Sequence, residues 1–145
     1  MRAGVLLDTG PLVAYLSQRD RYRDWAVEQF STLDLPFLTC EPVITEACFL
    51  VARNGMSPRH VLQTIERGAV QIDFQLAPEA SEVEQAMRRY ENVPMSLADA
   101  CLVRLAEMSG LPLCTLDSDF EIYRTRRGRP LDLISPPHRR AFHEP

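Results

Sequence analysis

Four acidic side chains of this 145-residue chain lie in apolar segments, away from the polar stretches that hold most of its acids: Asp8, Glu46, Asp99 and Asp117. Glu46 is the most isolated, because eight of the ten residues 43–52 are apolar. A carboxylate in such surroundings is costly unless a proton, a hydrogen-bond donor or a cation compensates its charge. Carboxylates without His or Cys close in sequence favour the hard cations Mg²⁺ and Mn²⁺ over Zn²⁺. The four acids are therefore candidates for a metal centre.

The elements that must position these acids alternate between strands and helices. Short apolar runs predict strands at 3–7, 37–40, 70–74, 113–116 and 131–134. Capping residues and 3.6-residue periodicity predict helices at 9–16, 20–30, 42–53, 57–67, 78–90 and 96–109. Regular alternation predicts a single α/β domain over 1–145 with a mostly parallel sheet, followed by an irregular tail at 135–145.

This alternation brings the four acids to one edge of the predicted sheet. Asp8 and Asp117 follow strands, while Glu46 and Asp99 lie in the first turns of helices that begin at the same edge. Ligands of open α/β sheets bind at that edge. Two ionised carboxylates about 5 Å apart repel by roughly 3 kcal/mol at an effective dielectric of about 20, so such a cluster either protonates or binds a cation.

Simpler structural roles are open for the same residues. Asp99 is the third residue after Ser96, which is also the spacing of a capping box. Asp8 and Asp117 are each in position to cap the helix that follows. Glu46 lies on a helix that is apolar nearly all round, so we expect its side chain to be buried, with Arg53 as a structural partner.

Composition excludes several functional classes. All 16 basic residues are Arg and none is Lys, which excludes a P-loop lysine and Schiff-base chemistry. The four cysteines form no CxxC pair and are expected to be reduced core residues. No apolar run is long enough to cross a bilayer and no signal-peptide pattern is present, so we expect a cytoplasmic protein without membrane contact.

Four motifs, in order along the chain, resemble those of the PIN-domain nucleases, and within them the VapC-like ribonuclease toxins of bacterial type II toxin–antitoxin systems. They are LDTGPL at 7–12, Glu46 in the helix after the second strand, LADA at 97–100 and TLDSDF at 115–120. The resemblance covers essentially the whole chain. It implies a PIN-like three-layer α/β/α sandwich with about five strands.

The resemblance also implies the chemistry of the site. The family's metal ligands correspond to Asp8, Glu46, Asp99 and Asp117, with Thr9 as a supporting hydrogen-bond donor. Supporting roles for Thr115 and Asp119 remain open. Bound Mg²⁺ or Mn²⁺ activates water and neutralises charge on a phosphate, so the implied activity is that of a metal-dependent endoribonuclease, a hydrolase. Family precedent suggests structured RNA such as tRNA as the substrate.

The formal net charge of −4 is unusual for an RNA-binding protein. Without the four candidate ligands, however, the remaining acids equal the arginines in number. The local placement of arginine then decides RNA affinity. A cluster directly after the last motif is predicted to contact RNA phosphates, or to be a solvated surface turn: Arg124, Arg126, Arg127 and Arg129.

The toxin interpretation implies two protein partners, a small cognate antitoxin and a second copy of the chain in a homodimer. Four aromatic residues are candidates either for the dimer contact or for the core: Tyr15, Tyr22, Trp25 and Phe30. One alternative is a PIN-domain ribonuclease of RNA processing or decay without an antitoxin. Another is a non-catalytic PIN-like binding module, although such modules typically lose acids that are present here. A phosphatase or a receiver domain is disfavoured because the chain has no Lys and no Asp-x-Asp motif follows the first strand.

Overall fold

The computed structural model describes residues 3–33 and 36–137, so the part of the predicted tail at 138–145 lies outside the described residues. The strands are β1 (Val5–Leu7), β2 (Phe37–Thr39), β3 (Val70–Ile72), β4 (Leu113–Cys114) and β5 (Leu133–Ile134). The helices are α1 (Thr9–Leu16), α2 (Arg23–Thr32), α3 (Glu41–Arg53), α4 (Arg59–Glu66), α5 (Leu76–Arg89) and α6 (Leu97–Ser109). A 3₁₀ turn at Ser118–Glu121 follows β4.

The five strands form one sheet in the order β3-β2-β1-β4-β5. Every strand pair is parallel, which confirms the predicted sheet. The chain order reverses between β1 and β4. Ligand crevices of open α/β sheets occur at such a reversal, outside the carboxyl ends of the strands. The segments that follow β1 and β4 therefore occupy the expected place for a functional site.

Side chains of the central strand β1 alternate between the two faces of the sheet. Val5 and Leu7 pack with apolar residues of α1, α3 and α4, whereas Leu6 packs with apolar residues of α5 and α6. All three strand residues are buried. Because a fully buried Leu or Val stabilises the fold by roughly 1.5–3 kcal/mol, both faces of the sheet must be covered. The result is the predicted three-layer α/β/α sandwich.

Several predicted boundaries differ from the observed ones by two or three residues. The helix predicted from residue 20 begins at Arg23, because the Asp20 carboxylate accepts the Tyr22 N–H at 2.8 Å in a turn before the helix. The helix predicted from residue 78 begins at Leu76. Pro78 therefore lies within the first turn, where backbone N–H groups have no partner inside the helix and proline is tolerated.

The two ends of α6 follow their sequence signals. At the start, the Ser96 hydroxyl oxygen accepts the Asp99 N–H at 3.1 Å, so the predicted cap is present. At the end, Gly110 has a left-handed backbone with φ of 70°, which favours glycine. The two signals fix where α6 begins and ends, and the first of them fixes where Asp99 lies relative to the sheet edge.

Two of the four aromatic candidates for a dimer contact pack inside the chain. The rings of Tyr15 and Phe30 stack with centroids 4.1 Å apart, and Phe30 also lies 4.4 Å from Phe37. Trp25 packs partly buried against the same cluster, and the Arg21 guanidinium lies over the Tyr22 ring. The core interpretation is favoured for Tyr15 and Phe30.

Of the helices in the described ranges, none combines the length and apolar composition that a bilayer span requires.

Candidate active site

Asp8 is the buried centre of the candidate site. It follows β1 and precedes α1, and its side chain is 6% exposed. Its backbone N–H donates to the carbonyl of Cys114 at 3.0 Å, which ties it to the end of β4. Oδ1 accepts the Thr9 N–H at 2.8 Å, and Oδ2 accepts the Thr115 hydroxyl at 2.7 Å. Two neutral donors from neighbouring elements therefore fix the orientation of this carboxylate.

The pKa of Asp8 is raised from 3.8 to about 7. Burial is the largest cause, and the charges of Asp99 and Asp117 raise it further, whereas the bonds from Thr115 and Thr9 oppose the rise. The pKa of Asp99 is also raised, mainly by burial and then by the charge of Asp117. Three of the four predicted acids thus repel one another, as expected for carboxylates brought to one place.

Thr115 connects Asp8 to the loop after β4. Its hydroxyl donates to Asp8 and its oxygen accepts the Asp117 N–H at 2.9 Å. Asp117 Oδ1 accepts the Asp119 N–H at 2.9 Å and so begins the 3₁₀ turn. The predicted capping role of Asp117 is therefore present. In this position the charge of the Asp117 carboxylate also raises the pKa of Asp8. The charge of Asp119 helps to raise the pKa of Tyr123, the residue whose hydroxyl contacts Asp99.

Glu46 is exposed, so the prediction of a buried side chain is wrong. Apolar residues lie on most sides of α3, but the rest of the protein covers only one side of the helix. Phe49, on an uncovered side, is therefore 65% exposed as well. The Thr9 hydroxyl donates to Glu46 Oε2 at 3.0 Å. The predicted partner Arg53 instead lies over the Phe49 ring at 5.9 Å. Glu46 thus joins the site through Thr9, at its solvent rim.

Tyr123 belongs to the site and was not predicted from the sequence. Its side chain is fully buried, and its hydroxyl donates to Asp99 Oδ2 at 2.9 Å. Burial and the nearby charge of Asp99 raise the pKa of Tyr123, so the phenol keeps its proton. The only sequence signal is the spacing of Phe120 and Tyr123, two aromatic residues three apart in a polar segment.

A common pattern links three acids to three hydroxyl groups. Thr115 donates to Asp8, Thr9 donates to Glu46, and Tyr123 donates to Asp99. These donors orient the carboxylates but carry no positive charge. Acids elsewhere in the described residues form ion pairs with arginine, among them Glu79, Glu82, Glu84 and Glu107. The carboxylates of Asp8, Glu46 and Asp99 instead accept hydrogen bonds from neutral hydroxyl groups.

The donor set fits a hard divalent cation that keeps part of its water shell. Within residues 3–33 and 36–137, no three acidic, His or Cys side chains are grouped closely enough to hold a metal ion directly. Mg²⁺, however, is usually bound through one or two carboxylates and several waters. The pKa values of Asp8 and Asp99 are raised by burial and by the charges of neighbouring acids. A bound cation would therefore reduce the cost of ionising these two groups most.

The predicted RNA-contacting arginines lie in a hairpin at residues 124–130, which we call the arginine hairpin and which an antiparallel bridge between Arg124 and Pro130 closes. The Arg124 guanidinium donates to the carbonyls of residues 121–123. The Arg126 guanidinium donates to Glu82 at 2.8 Å, and its backbone N–H donates to Glu107. These two arginines are therefore already engaged within the chain.

Arg127 and Arg129 differ from the other two arginines, because their side chains are exposed and form no ion pair with the described residues. They line a groove of about 810 Å³ between the arginine hairpin and the end of α6. None of the four candidate acids lines this groove, and Arg104, its lining residue nearest to Asp99 along α6, is five residues from Asp99, which corresponds to about 7–8 Å. The groove is thus separate from the carboxylates and lies along the helix that carries Asp99.

Comparison with protein families matches residues 5–125 to the PIN domain. Among solved structures, the chain is similar to the crystal structure of Mycobacterium tuberculosis VapC20, which is described as a sarcin-ricin loop cleaving toxin. The TM-score is 0.73 at 18% sequence identity, over 87% of this chain and 99% of that one. Comparison with curated proteins gives no match. The structural likeness shows a shared fold, and the family match spans most of the sequence, so the chain belongs to the PIN-domain family.

Proposed function

We propose that this protein is a metal-dependent endoribonuclease that hydrolyses phosphodiester bonds of RNA. The observation that carries the proposal is the grouping of acids at the point where the strand order reverses: the Thr115 hydroxyl joins Asp8 to Asp117, and the charges of Asp99 and Asp117 raise the pKa of Asp8. A fold gains nothing in stability from such an arrangement, whereas a cation-dependent nuclease needs it. Membership of the PIN-domain family supports the same activity.

The residues divide into ligands and supporting groups. Asp8, Glu46 and Asp99 would be the principal ligands of Mg²⁺ or Mn²⁺, directly or through water. When bound, such an ion lowers the pKa of a coordinated water and neutralises charge on the scissile phosphate. Asp117 would complete a second ion position or orient the attacking water. Thr9 and Thr115 hold Glu46 and Asp8 in place through their hydroxyl groups.

The substrate that we propose is a structured RNA with an exposed loop, such as tRNA or the sarcin-ricin loop that VapC20 cleaves. Sequence-specific proteins usually read RNA at loops, where the bases are unstacked. We further propose that the protein is the toxin of a type II toxin–antitoxin pair, acts in the cytoplasm, forms a homodimer and is inhibited by a small antitoxin. The likeness to VapC20 supports these roles.

Two alternatives keep the fold but change the role. A PIN-domain ribonuclease of RNA processing or decay would have the same site and no antitoxin. Co-purification with a small partner encoded next to this gene would distinguish the two. A non-catalytic binding module would tolerate loss of the acids, yet all four are present, and three accept hydrogen bonds from hydroxyl groups.

The test is incubation of purified protein, free of any partner, with total tRNA and ribosomal RNA. Reactions with Mg²⁺, Mn²⁺ and EDTA are compared for the wild type, Asp8→Asn and Glu84→Gln. Glu84 is an exposed acid paired with Arg88 and serves as the matched control. We expect discrete fragments that require metal, disappear in Asp8→Asn and persist in Glu84→Gln.

Two results would contradict the proposal. If cleavage survives Asp8→Asn, the activity belongs to another site or to a contaminant. If no RNA is cleaved although Mn²⁺ binding is detected, the non-catalytic binding module becomes the better interpretation.

A further inference from the structure

Tyr123 is the one phenol that reaches the acidic cluster among the residues that the structure describes. It lies outside all four motifs, two residues after the 3₁₀ turn. Its ring packs edge to face against Phe120, with centroids 5.3 Å apart, and against Tyr90 at 5.1 Å. Because these contacts fix the ring on two sides, the position of the hydroxyl is determined by the aromatic packing and not by the acid it contacts.

The hydroxyl of Tyr123 donates to Asp99 Oδ2 at 2.9 Å. Asp99 lies in the first turn of α6, where its backbone N–H is capped by Ser96. The backbone of Asp99 is thus fixed by one contact, and its carboxylate by another from a different element. Tyr123 is the largest of the hydrogen-bonding contributions that oppose the burial of the Asp99 carboxylate and the charge of Asp117, ahead of those from Ser96.

Asp8 and Glu46 have comparable donors, but theirs come from threonines of the motifs. Groups that hydrogen-bond to metal ligands set the orientation of those ligands, and their removal typically lowers metal affinity or activity 10- to 100-fold. Tyr123 occupies the equivalent place for Asp99. It supplies a donor that aromatic packing holds in place and that comes from a different element than Ser96, which is also hydrogen-bonded to Asp99.

We propose that Tyr123 is a positioning residue that holds the Asp99 carboxylate in the orientation needed to bind a divalent cation. This inference rests on the proposed function, because it assumes that Asp99 is a ligand. The phenol touches neither substrate nor reacting atoms, so it acts only through Asp99. Its contribution should therefore be seen first in cation affinity and only as a consequence in turnover.

The experiment measures Mn²⁺ binding directly, by calorimetry and electron paramagnetic resonance, for the wild type, Tyr123→Phe and Tyr90→Phe. Tyr90 is the matched control, since it belongs to the same aromatic cluster and its hydroxyl accepts the Arg124 N–H at 2.8 Å without contacting an acid. We expect Tyr123→Phe to weaken Mn²⁺ binding about 10- to 100-fold and Tyr90→Phe to leave it unchanged. In cleavage assays kcat falls while KM for RNA stays constant, and excess Mn²⁺ restores part of kcat.

Circular dichroism and urea unfolding establish that both variants are folded. Equal Mn²⁺ affinity in the wild type and Tyr123→Phe would overturn the role of Tyr123 and leave the nuclease proposal intact. An equal loss in both variants would also overturn it, because the cause would then be the packing of the aromatic cluster. If the wild type itself binds no Mn²⁺, the metal centre fails and the role of Tyr123 fails with it.

Discussion

Asp8 couples the stability of the protein to pH. Its pKa is about 7 in the folded state and 3.8 in its unperturbed state, so the folded protein holds a proton that the unfolded chain releases. Between about pH 4 and pH 7 the folded state therefore binds more protons, and the free energy of unfolding falls as the pH rises. A shift of this size corresponds to a change on the order of 4 kcal/mol across the window. Asp99, whose pKa is raised as well, acts in the same direction.

The prediction is that Asp8→Asn stabilises the metal-free protein at pH 8 by roughly 1–4 kcal/mol, less at pH 5, and little below about pH 4, where the carboxyl is protonated in the unfolded chain as well. Asparagine resembles the protonated carboxyl, so it removes the cost of burying a charge. Urea unfolding in EDTA at both pH values measures the effect. Glu84→Gln, an exposed variant outside the site, should keep the wild-type dependence on pH. A decrease between pH 5 and pH 8 that is as steep in Asp8→Asn as in the wild type would contradict the raised pKa.

Single residues were predictable from the sequence where a local pattern determined their place. Asp8, Asp99 and Asp117 follow strands or begin helices, and the sheet edge brings them together whatever the details of packing. Tyr123 was not predictable, because its contact with Asp99 spans 24 residues and depends on how the 3₁₀ turn packs on α6. The exposure of Glu46 was also missed, since composition shows that a helix is apolar but not which of its sides is covered.

At the scale of elements, the close approach of α1 to the loop after β4 positions both halves of the site. A Cβ on Gly10 would lie 3.2 Å from the Cβ of Leu116 and 3.3 Å from its Cδ1. Leu116 stands between Thr115 and Asp117, so any movement of it displaces the donor and the acid on either side. The glycine of the first motif therefore allows α1 and the loop after β4 to approach each other this closely.

We predict that Gly10→Ala lowers kcat for RNA cleavage a few-fold, because Leu116 must yield by a few tenths of an ångström and a displacement near 1 Å can cost about 100-fold in rate. Its effect on stability is expected to be small, because alanine favours a helix over glycine by roughly 1 kcal/mol, which offsets the strain against Leu116. Single-turnover cleavage and urea unfolding are measured on the same preparation. Wild-type kcat in this variant would show that the loop accommodates a methyl group without moving the acids.

The arginine hairpin is the second element whose role can be tested. Arg127 and Arg129 are exposed, whereas Arg126 is bound to Glu82, so the first two are the better candidates for phosphate contacts. Each phosphate contact contributes roughly 0.7–0.9 to the slope of log affinity against log salt concentration. We predict that the single variants Arg127→Gln and Arg129→Gln each weaken RNA binding and flatten this slope. The double variant with both Arg126→Gln and Arg127→Gln should have the same effects.

Binding is measured with the Asp8→Asn protein, so that RNA is not cleaved during the titration. Arg88→Gln is the matched control, because it removes the same charge from an exposed pair on α5. If all of these variants keep the wild-type slope, the hairpin is a solvated surface turn.

Element types and their order were predictable, whereas their ends were not. Periodicity placed every helix, and alternation gave a parallel sheet, because both depend on residues close in sequence. The start of α2 was misplaced because the Asp20 carboxylate closes a turn ahead of the helix and does not cap it. The strand predicted to reach residue 116 ends at Cys114, because the chain turns there to direct Thr115 and Asp117 towards the site.

At the scale of the whole molecule, the net charge of −4 equals the charge of the four acids of the candidate site. The acids outside the candidate site are balanced in number by the arginines, and several are paired with them. The four site acids are the excess. Two divalent cations would cancel that excess, so the form of the protein that meets RNA would be close to neutral, with attraction supplied locally by exposed arginines.

Because the four acids come together only in the folded protein, we predict that Mg²⁺ or Mn²⁺ raises its free energy of unfolding. A ligand that binds only the folded state adds about 2.7 kcal/mol to the free energy of unfolding at a concentration of about 100 times its dissociation constant. The cation binds the ionised carboxylates, so its stabilising effect should be larger at pH 8 than at pH 6, which is opposite to the trend of the metal-free protein. Urea unfolding at both pH values, with Mn²⁺ or with EDTA, measures this reversal.

The control for this prediction is Asp8→Asn. This variant should be more stable than the wild type in EDTA at pH 8 and should gain little from Mn²⁺. Equal gains in the wild type and in Asp8→Asn would mean that the ions act on the general surface charge and not at the carboxylates of the site.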